Sequence, residues 1–196
     1  SNKKEIKIQE FLKDQEEQYI CIASYGHIED LKKTEMSIDF QNWKGIYEFT
    51  NLKVINNIKK LLKTVDIVML ASDPDYEGHF ISHSITKILD KNMQRYRITF
   101  NEVTKSAILE AIENKHRIDY NKVNCQITRR LSDRLFGYKL SPLLWNSFNI
   151  NTLSAGRVQS PVLACIVKNT NNVNNPNPEI TYKIKGDFDN NLLNTL

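Results

Sequence analysis

Three acidic side chains fall at alternate positions in Asp73-Pro74-Asp75-Tyr76-Glu77-Gly78, directly after the apolar run Ile67-Val68-Met69-Leu70-Ala71. Such a run predicts a buried strand, and the acids then occupy its C-terminal end, where open α/β sheets bind ligands. Like charges about 4 Å apart repel by roughly 4 kcal/mol per pair at an effective dielectric of 20. Divergence into water, protonation of one group or a shared cation would each relieve that repulsion. Hard oxygen donors favour Mg²⁺ over zinc. Acids also cap helices, because their oxygens satisfy unpaired N–H groups and suit the positive end of the helix dipole. The next segment fits a helix over 77–90, with Phe80, Ile81, Ser84, Ile85, Ile88 and Leu89 on one stripe. On these residues alone, capping and metal binding both stand.

A second group of candidates lies on a helix expected over about 119–138. Ile127, Leu131 and Leu135 recur every four residues and should pack inward. Arg130, Arg134 and Tyr138 recur at the same spacing, rotated about 100° from the first row, with Arg129 beside them. Guanidinium groups bind phosphate bidentately and a tyrosine ring stacks on a base, so this row suits a single nucleic-acid strand. A solvated face with Asp133 neutralising an arginine explains the same residues. The segment Ser154-Ala155-Gly156-Arg157-Val158-Gln159-Ser160-Pro161 is a further candidate, since Gly156 permits a tight turn and Arg157 and Gln159 project together from extended backbone. Read by itself it is a polar turn before a helix. His27 follows a strand end and a glycine, as an active-site loop residue does, and a merely solvated histidine fits equally well.

The elements needed to position these groups follow from periodicity. Helices are expected over 4–14, 51–63 and 77–90, with another starting at a Thr104 cap. Strands are expected at 19–23, 66–71 and 97–100, with an edge strand at 46–49 and a polar, irregular stretch over 30–46. Up to residue 101 the alternation implies an α/β fold with a mostly parallel sheet and flanking helices. Beyond it the chain reads as mainly helical, broken at Pro142 and again at 152–156. The stretch 169–178, rich in Asn with two prolines, reads as a loop, and 181–188 as one more strand.

With 196 residues, 40% of them apolar, the chain can bury a core as one large or two small domains. Its net charge of +4 rules out a strong polycation, so a nucleic-acid partner requires local basic clusters. No apolar run approaches a membrane span, which excludes a membrane partner. Three cysteines, far apart and odd in number, make no zinc spacing and read as free thiols in a reducing compartment.

Five blocks in order carry a more specific signal: Ala23–Leu31 with Gly26-His27-Ile28, Ala71–Gly78, Arg97–Thr104, Asp133–Trp145 and Leu153–Pro161. Together they closely resemble the N-terminal part of type IA DNA topoisomerases over about residues 1–165. The resemblance implies a Rossmann-like Toprim domain over 1–102 without its first strand. A partial helical single-strand-binding domain over 103–168 and a linker with the first strand of another domain over 169–196 would follow. It implies that Asp73, Asp75 and Glu77 hold Mg²⁺, that Arg97 lies beside the active site and His27 near the scissile phosphate, and that Lys4 matches the family lysine. Arg129, Arg130, Asp133, Arg134 and Tyr138 would lie along the DNA strand, with Ser154, Arg157 and Gln159 holding it next to the cleavage point. Tyr76 and His79 depart from the family, which there favours Arg and an acid.

The implied reaction is ATP-independent relaxation of negatively supercoiled DNA through a 5′-phosphotyrosine, inside the cell. None of the eight tyrosines has the Gly-x-x-Thr-Tyr-x-Arg setting of the family nucleophile. The expectation is therefore part of a longer enzyme, inactive alone and needing the remaining topoisomerase domains as partners. A Toprim primase or nuclease, which would not need Ser154–Pro161, and a non-catalytic DNA-binding remnant are the alternatives.

Overall fold

The computed structural model describes residues 2–174 together with 182 and 183. Helix α1 spans Asn2–Leu12. Four short strands follow: β1 (Glu29–Leu31), β2 (Ile38–Asp39), β3 (Lys44–Gly45) and β4 (Tyr47–Phe49). They form two antiparallel pairs, β1 with β4 and β2 with β3, so the stretch expected to be irregular holds a small ribbon. Next come α2 (Leu52–Leu61) and β5 (Ile67–Leu70), then α3 (Tyr76–Thr86), β6 (Gln94–Arg97) and α4 (Lys105–Glu113). The helical part comprises α5 (Tyr120–Phe148) and α6 (Gln159–Asn174).

The mixed α/β architecture agrees with expectation, but among the described residues the parallel sheet is one pair, β5 with β6, in register from Ile67↔Gln94 to Leu70↔Arg97. With one laddered neighbour, β5 is not a fully buried strand: Leu70 is buried, while Ile67 is exposed. The strand expected at 97–100 lies three residues earlier. Arg97 ends it, and on the other side His116 exchanges both backbone hydrogen bonds with Arg97, at 2.7 and 2.9 Å. Residues 19–23 form no ladder. The Gln9 side-chain amide takes the place of a neighbouring strand, donating to the Tyr19 carbonyl and accepting from the Cys21 N–H, each at 2.8 Å.

Local chemistry sets the helix starts. Asn51, Asp75, Thr104 and Asp119 are N-caps whose side chains accept from the first-turn N–H groups of α2, α3, α4 and α5. The expected break at Pro142 does not occur, and α5 runs on to Phe148 with the proline inside it. A helical proline forfeits one backbone bond and strains the preceding turn. Two contacts clamp α5 there: the Ser141 hydroxyl accepts from the Ala155 N–H at 3.1 Å, and the Trp145 indole donates to the Leu153 carbonyl at 2.6 Å. Asn149, left-handed at φ 54°, ends the helix and turns the chain back along it. Residues 169–174, expected as loop, continue α6; 175–178 and the expected strand at 181–188 fall outside the described residues, apart from Tyr182 and Lys183.

The core draws on α3, α4 and α5, with α3 packed against α5. Ile28, Phe80 and Ile108 are fully buried, with Val123 of α5, Leu31, Leu70 and Ile98 close to it. Burying a side chain of this size stabilises by roughly 1.5–3 kcal/mol. Glu29 is buried as well, and its carboxylate is met by the Ser84 hydroxyl at 2.8 Å and the Lys87 ammonium at 2.6 Å. Rows Ile127, Leu131 and Leu135 are only half-buried, so α5 does not bury its apolar row as fully as the periodicity implied. Among the described residues no helix is long and apolar enough to cross a membrane.

His83 of α3 stacks edge-on against Tyr120 with ring centroids 5.7 Å apart. Burial, and then the charge of Lys87, hold its imidazole below the ordinary value of 6.5. The unfolded chain therefore binds more protons between that lowered value and 6.5, so stability falls as the pH falls through this window. Urea midpoints should be lower at about pH 5 than at about pH 7, and His83→Phe should shrink the difference. An undiminished difference in that variant would remove His83 as a cause.

Candidate functional site

The acid loop begins where the β5 ladder stops. Just past this strand end the carbonyls of Leu70, Ser72 and Asp73 converge on one guanidinium, that of the fully buried Arg97. Its Nη1 donates to Leu70 at 2.9 Å, to Ser72 at 2.7 Å and to Ile98 at 3.2 Å, and its Nη2 donates to Asp73 at 2.5 Å. Burial pushes the Arg97 pKa down to about 10, against the opposing pull of Asp73 and Asp75. Arg97 thus stands beside the acid loop, with its donors turned to the backbone carbonyls beneath it. It lies under the loop, where it meets the carbonyls of Ser72, Asp73 and Ile98 beyond the ladder and shares the Leu70 carbonyl with the Ile98 N–H. Gly78 closes the loop from the other side: a Cβ there would sit 2.0 Å from the Asp73 carbonyl oxygen.

Held this way, the three carboxylates point to three different partners. Asp73 is exposed and accepts from the Lys4 ammonium at 2.7 Å. Asp75 caps α3, accepting from the Gly78 N–H at 2.7 Å. Glu77 is gripped at both oxygens: Oε1 by His27 Nε2 and Oε2 by the side-chain amide of Gln126. The capping reading therefore holds for Asp75, whereas Asp73 and Glu77 are not caps. Among the described residues no three His, Cys, Asp or Glu side chains converge as a ready cage. Mg²⁺ does not ask for one, because it keeps several waters and takes one or two carboxylates. Hard, accessible oxygens at the mouth of the loop fit that ion.

Helix α5 brings the second group to this loop. Arg130 pairs with Asp30, stands 3.3 Å from His27 Nε2 and 3.9 Å from Glu77 Oε1, and lies over the Phe80 ring at 5.2 Å. Arg134 donates to the carbonyls of Leu31, Lys32 and Glu35, and stacks on Tyr138 at 4.7 Å. The Tyr138 hydroxyl donates to the Lys33 carbonyl. Arg130, Arg134 and Tyr138 are expected beside a DNA strand or on a solvated face. Here their donors are spent on the first domain, because residues 30–35 run beside α5 and offer carbonyls with no ladder partner. They still wall a cavity of about 830 Å³ with Asp30, Trp145 and Ser154.

The last block folds back as expected of a turn before a helix. Arg157 Nε donates to Asp133 at 2.8 Å, while Arg129 stands 3.9 Å from the same carboxylate. Both arginines border an open groove of about 530 Å³, lined also by Thr128, Ser132 and Val158. Gln159 donates to the Ser154 hydroxyl at 3.1 Å. Two participants were not singled out from the sequence, Gln126 and Asp30. A signal existed for Gln126, which begins the four-residue spacing that continues through Arg130, Arg134 and Tyr138. Asp30 carried none, since its partner lies 100 residues away.

A parallel β–α–β unit with acids at the first strand's end defines the class, and the Toprim domain profile matches residues 1–103. A second profile, described as DNA topoisomerase, matches residues 117–195. The chain belongs to the Toprim family and, within it, to the type IA DNA topoisomerases. It is 41% identical over 175 residues to the prokaryotic-type DNA topoisomerase 1 of Acanthamoeba polyphaga mimivirus, covering 87% of this chain and 20% of that protein. It is 38% identical over 170 residues to DNA topoisomerase 1 of Aquifex aeolicus (strain VF5), covering 85% and 32%. The structure of full-length topoisomerase I from Thermotoga maritima superposes with a TM-score of 0.78 at 32% identity, over 100% of this chain and 36% of that one. The chain thus spans about a fifth to a third of the curated relatives it matches.

Arg97→Leu should lower unfolding stability by about 3–5 kcal/mol in urea titration, the usual consequence of breaking a buried charged network. A change below about 1 kcal/mol would show that the loop carbonyls find other donors.

Proposed function

We propose that this chain supplies the metal-binding and strand-holding part of a type IA DNA topoisomerase. One observation carries the reading: the acid loop at the end of β5 and the cationic row of α5 meet at Glu77, beside a cavity walled by arginine, tyrosine and tryptophan. Toprim domains are generally metal-binding, and Asp73, Asp75 and Glu77 would hold Mg²⁺ here. When bound, that ion would stabilise the extra negative charge that develops on a phosphodiester under attack.

The chain's own residues do the rest of the holding. Arg129 and Arg157, exposed and sharing one carboxylate, bind phosphates of a single strand along the open groove. Tyr138 and Trp145 offer ring faces to unstacked bases in the cavity. His27 and Arg130, each part-buried against Glu77, carry positive charge or a proton toward the phosphate position. In the whole reaction a tyrosine oxygen bonds to phosphorus, the bond to the 3′ oxygen breaks, and that oxygen takes up a proton. The 5′-phosphotyrosine keeps the bond energy, so resealing needs no ATP. Negatively supercoiled DNA, which exposes single strands, is the matching substrate.

Binding of a fluorescent single-stranded oligonucleotide, followed by anisotropy, tests the reading. Affinity should fall with salt, with log K changing by about −0.7 per phosphate contact for each unit of log salt. Arg157→Ala should weaken binding severalfold and flatten that slope by about 0.7. A salt-independent affinity, or an unaltered one in Arg157→Ala, sinks the proposal.

A further inference from the structure

Of the three acids, Glu77 alone is held from the second domain. Asp73 meets an exposed lysine and Asp75 its own helix start, but Glu77 Oε2 accepts from Gln126, 49 residues away on α5. Gln126 is 4% exposed, so its amide is committed to that contact and not to water. It lies one helical turn before Arg130, whose guanidinium stands near the other oxygen of the same carboxylate.

We propose that Gln126 is a positioning residue that fixes the Glu77 carboxylate for the divalent cation; the inference rests on the metal reading given above. A neutral amide suits this role on physical grounds. A lysine or arginine at the same place would neutralise the carboxylate and compete with the ion. An apolar side chain would leave Oε2 free to turn toward water. An amide donor restricts the carboxylate's rotation while leaving its charge intact and its remaining lone pairs open. Partners of this kind, which orient a ligand without touching the metal, commonly alter metal affinity 10- to 100-fold when removed. The geometry also makes the metal site sensitive to how α5 sits on α3, because a small shift of α5 withdraws the donor from Glu77.

Calorimetric Mg²⁺ titration of the 196-residue chain tests this, with Gln126→Leu, Gln126→Asn and Asp75→Asn as variants. Gln126→Leu removes the donor at similar volume; Gln126→Asn keeps an amide but shortens its reach, and serves if the leucine variant fails to fold. Each should bind Mg²⁺ about tenfold more weakly than the parent. In ¹H–¹⁵N spectra of the parent, Mg²⁺ should also shift the Gln126 side-chain amide signals, which a purely structural role would leave in place. If both Gln126 variants keep the parent affinity while Asp75→Asn lowers it, the positioning role is overturned and the metal reading stands. If the parent binds no Mg²⁺, or Asp75→Asn leaves binding unchanged, the metal reading falls and takes the positioning role with it.

Discussion

Everything at the acid end of the molecule is arranged around a single guanidinium. Arg97 has no exposed surface, yet it serves carbonyls of Leu70, Ser72, Asp73 and Ile98, which lie where two strands stop pairing. A carbonyl left without a donor beneath this loop would be costly. A charged donor in that place is itself unfavourable, as its lowered pKa records. Four acceptors, with the carboxylates of Asp73 and Asp75 nearby, offset that burial. The loop path follows, and with it the close approach of Gly78 to the Asp73 carbonyl. Once the path is set, Asp75 faces the first turn of α3, Asp73 faces Lys4, and Glu77 faces the second domain.

A row of polar side chains on α5 repeats this economy on a larger scale. Gln126, Arg130, Arg134 and Tyr138 descend one face of the helix, and each spends a donor on the first domain. Glu77, Asp30 and the carbonyls of residues 31–35 receive them. Loops beside a helix lack ladder partners, and side-chain donors from the helix fill that need. The consequence for recognition is preorganisation. The cavity wall made by Arg134, Tyr138 and Trp145 is already ordered, so the proposed strand would meet side chains whose rotameric entropy was lost in folding. Arg157 and Arg129 are different: exposed, they share Asp133 of α5 itself.

Much of this was legible before any coordinates. The acids, their place after an apolar strand, the cap at Thr104 and the four-residue spacing on α5 are all local patterns, and local patterns are set by neighbours along the chain. The order of five blocks carried the family. Less was legible about partners. Nothing in its sequence neighbourhood marks Arg97 for burial, yet it has no exposed surface. Residues 19–23 have the composition of a strand, yet one glutamine side chain from α1 satisfies them instead. Pro142 reads as a stop, yet Ser141 and Trp145 anchor the helix across it.

What the sequence by itself determined was therefore which chemistry is present and in what order: three carboxylates at a strand end, a cationic aromatic row on a helix, and a returning Gly-Arg turn. Hydrophobic periodicity and capping act over a few residues, so they are readable from a few residues. Only the tertiary structure decided where each charge points, because that depends on groups 24 to 105 residues apart that meet through folding. Hydrogen-bond satisfaction inside a packed interior has no sequence period, and it is what turned Arg97 inward, gave Asp30 to Arg130, and set Gln126 against Glu77.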